Sequence, residues 1–138
     1  MILSPPPARL QNGLTTIALA EAGGITQFGF HLQSLAPGAQ SSTPHWHSAE
    51  DEMAYLLDGT PTLCEAEETR LEPGMVLAWP KGAGPAHALR NDGPGVARYL
   101  VVGTRAERDR IHQPDHDLLT EKRGPLRRYC HSDGRPRA

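Results

Sequence analysis

Between Thr43 and Glu52 the chain reads Thr-Pro-His-Trp-His-Ser-Ala-Glu-Asp-Glu. His45 and His47 are separated by one residue, and side chains on a strand alternate with a period of two, so both imidazoles leave the same face. Both can therefore reach one ion. A carboxylate from the next strand can supply a third ligand, and a histidine from a more distant strand a fourth. Three neutral imidazoles and one carboxylate suit a borderline transition ion such as Fe, Mn, Ni, Zn or Co. They do not suit Ca or Mg, which prefer shells made wholly of oxygen. A His-x-His pair alone is a weak signal, because such pairs are also common as surface or hydrogen-bonded histidines.

The remaining reactive side chains are read more plainly. Glu50 and Asp51 crowd Glu52 and are expected to be loop acids facing solvent. His112, His116 and His131, with Asp115 and Asp117, have no metal-ligand spacing and read as a polar tail. Cys64 and Cys130 lie far apart and suggest no disulfide framework.

The elements that must hold these residues are short. Apolar runs of a few residues lie between turn signals such as Ala22-Gly23-Gly24, Pro37-Gly38, Asp58-Gly59, Pro73-Gly74 and Asn91-Asp92-Gly93. Strands are predicted over 14–20, 26–35, 45–47 running on into 53–57, 62–64, 69–71, 75–79, 87–90 and 96–102. The 13 prolines and 14 glycines are spread between these runs rather than clustered, which is the punctuation of an all-β sandwich or barrel. Pro5-Pro6-Pro7 favours an extended arm over 1–12. The one place with helical propensity is Thr104 to Ile111.

Parity constrains the interior. If Glu52 points inward, so do Ala54 and Leu56, while Met53 and Tyr55 face away. Leu77 and Trp79 share one face of their strand, with Val76 and Ala78 on the other. His31 lies opposite Phe28, Phe30 and Leu32.

A chain of 138 residues fits one domain with its own core. Fourteen basic and 16 acidic residues leave a net charge of -2, which removes the electrostatic case for nucleic acid or an anionic membrane. The balance is uneven: 5 basic against 10 acidic residues over 1–104, and 9 against 6 over 105–138. That asymmetry lets the basic tail dock on the acidic barrel, and a solvated extension trailing from it is the expectation over packing on it. No stretch approaches the ~20 apolar residues needed to span a bilayer, and the opening residues lack the pattern of a secretory signal. A cytoplasmic location is the expectation.

Two larger patterns surround the histidines. Gly38, His45, His47, Glu52 and Gly59 fall in order, and Gly74, Pro80, Gly82, His87 and Asn91 follow. These strongly resemble the two motifs of the cupin superfamily. One extra residue sits between Gly38 and His45, and two between Gly82 and His87, both in loops that shape the pocket more than the strand register. The resemblance covers about 26–104. It implies an all-β double-stranded β-helix, or jelly-roll barrel, with an N-terminal arm and peripheral strand over 1–25 and a C-terminal extension over 105–138. It also implies His45, His47, Glu52 and His87 as the four ligands of one divalent transition metal ion (Fe, Mn, Ni or Zn).

The resemblance is specific for fold and metal and unspecific for reaction. Cupins with this ligand set include dioxygenases, decarboxylases, sugar-phosphate isomerases and lyases, so a small-molecule metalloenzyme acting by direct coordination of an oxygen-bearing substrate is expected. No catalytic residue beyond the ligands is assigned. The absence of another acid–base group within the motifs favours chelation of an enediol-like substrate over a proton shuttle. A non-catalytic module that binds a sugar or carboxylate is the alternative, and a homodimer formed through exposed strand edges is expected.

Overall fold

The computed structural model describes residues 1–137 as an almost wholly antiparallel β protein. Its elements in order are β1 (Arg9–Gln11), β2 (Leu14–Ala18), the helical turn α1 (Leu19–Ala22), β3 (Phe28–Leu35), β4 (Trp46–His47) and β5 (Glu52–Asp58). Then follow β6 (Thr62–Cys64), β7 (Glu68–Arg70), β8 (Val76–Trp79), β9 (Ala88–Arg90) and β10 (Ala97–Thr104). The last three are β11 (Arg108–Gln113), β12 (Leu118–Arg123) and β13 (Leu126–Cys130).

Six strands form one wall in the order β1-β2-β3-β10-β5-β8. Opposite stand β7-β6-β9 and β13-β12-β11-β4, and a bridge between His45 and His87 links these two smaller sheets. Leu35, Leu56, Ala97 and Tyr99 from the large sheet meet Leu63, Leu71 and Leu89 from the facing side in one buried cluster. This is the jelly-roll barrel that the cupin resemblance implied, within the sandwich-or-barrel class that the strand and turn pattern indicated.

Parity holds along β5: Ala54 and Leu56 are buried, and Met53 and Tyr55 are exposed on the outer face. On β3 the register settles what alternation could not. His31 and Gln33 pair with Val101 and Tyr99 of β10, and these four side chains line the barrel interior. The apolar Phe28 therefore lies on the outer face, although apolar residues are the usual choice for an interior.

Two motif residues act on the backbone. Gly59 closes the β5–β6 turn at φ +90°, where an added Cβ would stand 2.6 Å from the Ala97 Cα. Asn91 is wholly buried, donates to the carbonyls of Leu35 (2.7 Å) and Gly95 (2.9 Å), and accepts from the Gly93 N–H (3.0 Å). It ties the end of β9 to β3 and to the turn before β10.

Three expectations are corrected. The strand expected over 14–20 ends at Ala18, and α1 turns the chain before Gly23. The helix that propensity allowed at Thr104–Ile111 is instead the end of β10 followed by β11. Pairing of β11 with β4 on one side and β12 on the other supplies bonds and burial that outweigh helix propensities of a few tenths of a kcal/mol per residue. The tail is not a solvated extension, since β11, β12 and β13 form a meander that buries Asp109, Leu119, Thr120 and Cys130. Its charges pair with one another, as where Glu121 receives Arg128 (3.3 Å) and faces Arg110 (3.6 Å).

Candidate metal centre

Four side chains from four places in the sequence converge between the walls. His45 precedes β4, His47 ends it, Glu52 opens β5, and His87 lies just before β9. The Glu52 carboxylate stands between the imidazoles: its oxygens lie 4.0 Å from His45 Nε2, 3.9 Å from His47 Nε2 and 2.6 Å from His87 Nε2. The ligand atoms of His45, His47 and Glu52 all lie within 4.8 Å of one another. His87 joins them through its contact with Glu52 and a ring separation of 4.8 Å from His45.

Hydrogen bonds set which nitrogen of each histidine is free. His45 Nδ1–H donates to the Thr43 carbonyl (3.1 Å), and His47 Nδ1–H donates to Asp109 Oδ2 (2.7 Å). Both Nε2 lone pairs are left facing Glu52, the tautomer a metal ligand needs. His87 is fixed differently, by Trp79 stacked on its ring at 3.7 Å and 6°.

The donor set fits a metal ion. Metal–ligand bonds of about 2.1 Å place neighbouring tetrahedral ligand atoms about 3.4 Å apart, close to the His45 and His47 separations from Glu52. The shorter His87–Glu52 contact would open by under about 1 Å to admit one. Electrostatics agree with this. Burial opposes ionisation of Glu52, but the flanking His45 and His87 hold its carboxyl well below the usual range. Burial pushes His45 down, and the facing Glu52 more than offsets it, raising the imidazole above its ordinary value.

Behind His47 lies a second layer. The Asp109 side chain is fully buried, and its other oxygen accepts the Ala49 N–H at 2.8 Å. Glu50 Oε1 stands 3.5 Å from His47 Nδ1, and Glu50 Oε2 takes an ion pair with Lys122 and the Ala106 N–H (2.8 Å). Glu50 is thus not the solvent-facing acid expected: folding of β12 over it supplies the cation that permits its burial. Asp51 stays exposed, accepting the Lys81 N–H. His47, Glu50 and Asp109 also cluster closely, but Lys122 already neutralises that group.

His112 leaves the polar tail to stack on Trp46 (3.7 Å, 3°) and bond Ser48 (2.9 Å). His131 pairs with Asp117 at 2.7 Å, away from the centre.

The four candidate ligand side chains were marked by their resemblance to the cupin motifs, whereas Asp109, Lys122 and Tyr99 were missed. Asp109 sits among arginines and carries no local mark of burial. Tyr99 could have been found by extending the inward parity of β5 across a neighbouring strand, had the register been known.

The interior forms a cavity of about 250 Å³. His45, Glu52 and His87 stand in it with Trp79, and its walls include His31, Gln33, Ser41 and Tyr99. Burial first, and then the Arg105 charge, hold His31 below its ordinary value.

Comparison with known proteins follows this geometry. The family model for the cupin domain (Cupin_2) matches residues 31–103. The tetracenomycin polyketide synthase protein TcmJ of Streptomyces glaucescens is 33% identical over 100 residues, 70% of this chain and 64% of that protein. This chain therefore spans less than two thirds of that relative's length. A sugar phosphate isomerase of the cupin superfamily from Silicibacter pomeroyi superimposes with a TM-score of 0.87 at 28% identity, over 99% of this chain and 92% of that one. The polyketide cyclase RemF of Streptomyces resistomycificus shares the fold, with a TM-score of 0.59 at 21% identity over 74% of this chain and 73% of that one.

Proposed function

This chain belongs to the cupin domain family, and we propose that it is a mononuclear metal-dependent enzyme acting on a small hydroxy-carbonyl compound, by isomerisation of the sugar-phosphate type. The observation that carries this reading is the convergence of three imidazoles on one carboxylate in a cavity with His31 on its wall. His45, His47, Glu52 and His87 would hold one divalent transition ion. Such an ion supplies polarisation of a bound carbonyl or hydroxyl oxygen.

The chain's own residues supply the rest. Asp109 and Thr43 keep His47 and His45 in the tautomer that leaves Nε2 free. Trp79 walls the centre and restricts how a ligand can lie against His87. His31, neutral at pH 7, is placed to take a proton from carbon beside a bound carbonyl and return it to the neighbouring carbon. This proton-carrying group favours isomerisation over pure chelation chemistry, the preference drawn from the motifs alone. Arg105 flanks Gly29 beside His31 and faces Glu21 at 3.9 Å, and in this reading its charge serves an anionic tail on the substrate. The near full-length similarity to a sugar phosphate isomerase supports the same class.

The test combines metal analysis with exchange chemistry. Wild type purified without chelators should carry near-stoichiometric metal, and His47→Ala should not. Metal-loaded protein incubated in D₂O with a panel of aldose and ketose phosphates should incorporate deuterium at carbon, and His31→Gln should abolish this while retaining metal. Tight binding of those sugars with no exchange would favour the non-catalytic binding module. No metal after reconstitution would overturn the proposal altogether.

A further inference from the structure

Tyr99 reaches the cavity from β10, two residues from Val101 and cross-strand from Gln33. The residue is only 2% exposed, yet among the described residues its hydroxyl has no hydrogen-bond partner. A buried hydroxyl left unpaired is costly, and such groups are nearly always satisfied in folded proteins. Two polar side chains stand near it without completing a bond: Ser41 Oγ accepts the Leu89 N–H (2.9 Å) and touches the phenol only weakly, and the Gln33 amide N–H donates to Thr16 (3.3 Å). Burial and the Glu52 charge push the phenol well above its ordinary value, so it keeps its proton. It can give a hydrogen bond but cannot act as a base.

We propose that the Tyr99 hydroxyl is the residue that selects the ligand, donating a hydrogen bond to a second oxygen of the molecule held at the metal centre. The inference rests on the reading of the cavity as a ligand site and adds the class of ligand. One oxygen is held at the His45–His47–Glu52–His87 end, and a carbonyl or other acceptor oxygen is presented to Tyr99 further along the cavity. Molecules with a methyl group in that position leave the hydroxyl unpaired and are rejected. A site built around such a bond discriminates far more strongly than an apolar pocket does. Isosteric pairs of small acids therefore read the contact directly.

The experiment uses metal-loaded wild type and Tyr99→Phe. Binding of pyruvate against isobutyrate, and of levulinate against isocaproate, is measured by calorimetry, and metal content is measured on both proteins. Wild type should prefer the keto acid by about tenfold or more in at least one pair. Tyr99→Phe should lose that preference and keep its metal. Equal binding within both pairs, or a preference that survives in Tyr99→Phe, overturns the inference.

A second arm needs no ligand or metal. Thermal unfolding of chelator-treated Tyr99→Phe should match or exceed wild type, because an unpaired hydroxyl is removed. A fall of about 4 °C or more would mean that the hydroxyl has a structural partner, such as a trapped water, and would also overturn it. Failure of the metal reading shows separately, as wild type that retains no metal.

Discussion

Asp109 has the most leverage of any residue outside the four candidate ligands. It reaches His47 from β11, across 62 residues of sequence, and fixes which ring nitrogen carries the proton. Asn is isosteric but presents an amide where His47 needs an acceptor, so Asp109→Asn permits the wrong tautomer. Metal affinity should fall about 10- to 100-fold with little change in far-ultraviolet circular dichroism. A competition titration with a coloured chelator measures this. Unchanged affinity would show that Glu50, 3.5 Å from the same nitrogen, can do the same work.

Turns and hairpins contribute at the scale of the element. Gly38 and Gly59 both have positive φ, but a Cβ at Gly38 meets nothing within 4 Å, whereas one at Gly59 strikes the Ala97 backbone. Gly38→Ala should therefore cost only the left-handed backbone term of about 1 kcal/mol. Gly59→Ala should cost about 3 kcal/mol, because β5 and β10 must also move apart. Urea unfolding of the pair separates the two effects, and equal costs would contradict the close approach.

The C-terminal meander offers a pH test. Asp117 accepts the Ser132 N–H and bonds His131, which holds its carboxyl at about 2 against an ordinary 3.8. A depressed carboxyl contributes stability above its unfolded value and loses it as pH falls through its folded one. Order around Ser132 should therefore be retained at pH 4 and lost towards pH 2. Amide shifts of Ser132 report it, and a midpoint near the ordinary carboxylate value would refute the contact.

Across the whole molecule, the outer face of the six-stranded sheet is the feature that compositional reasoning did not anticipate. Phe28, Met53, Tyr55 and Val76 are all exposed there. Apolar patches of this kind mark association surfaces, so this face stands beside the strand edges as a candidate seat for the homodimer expected from the sequence. Sedimentation should give twice the 15.0 kDa chain mass, and Met53→Lys with Val76→Lys should return a monomer. A monomeric wild type would remove the assignment. Among the described residues no helix is long and apolar enough to cross a membrane.

The sequence by itself determined the strand-and-turn rhythm and the inward parity of Ala54 and Leu56. Its spacing put His45 and His47 on one face, because both readings depend on periods only a few residues long, and its resemblance to the cupin motifs added Glu52 and His87. Only the tertiary structure decided that Asp109 serves His47, that Lys122 neutralises Glu50, that Tyr99 faces His31 and Gln33 within one cavity, and that Phe28 lies outside. Each of these turns on which strands become neighbours and in what register. A shift of one residue exchanges the two faces of a strand, and nothing local to β3 or β11 records which face its partner will cover.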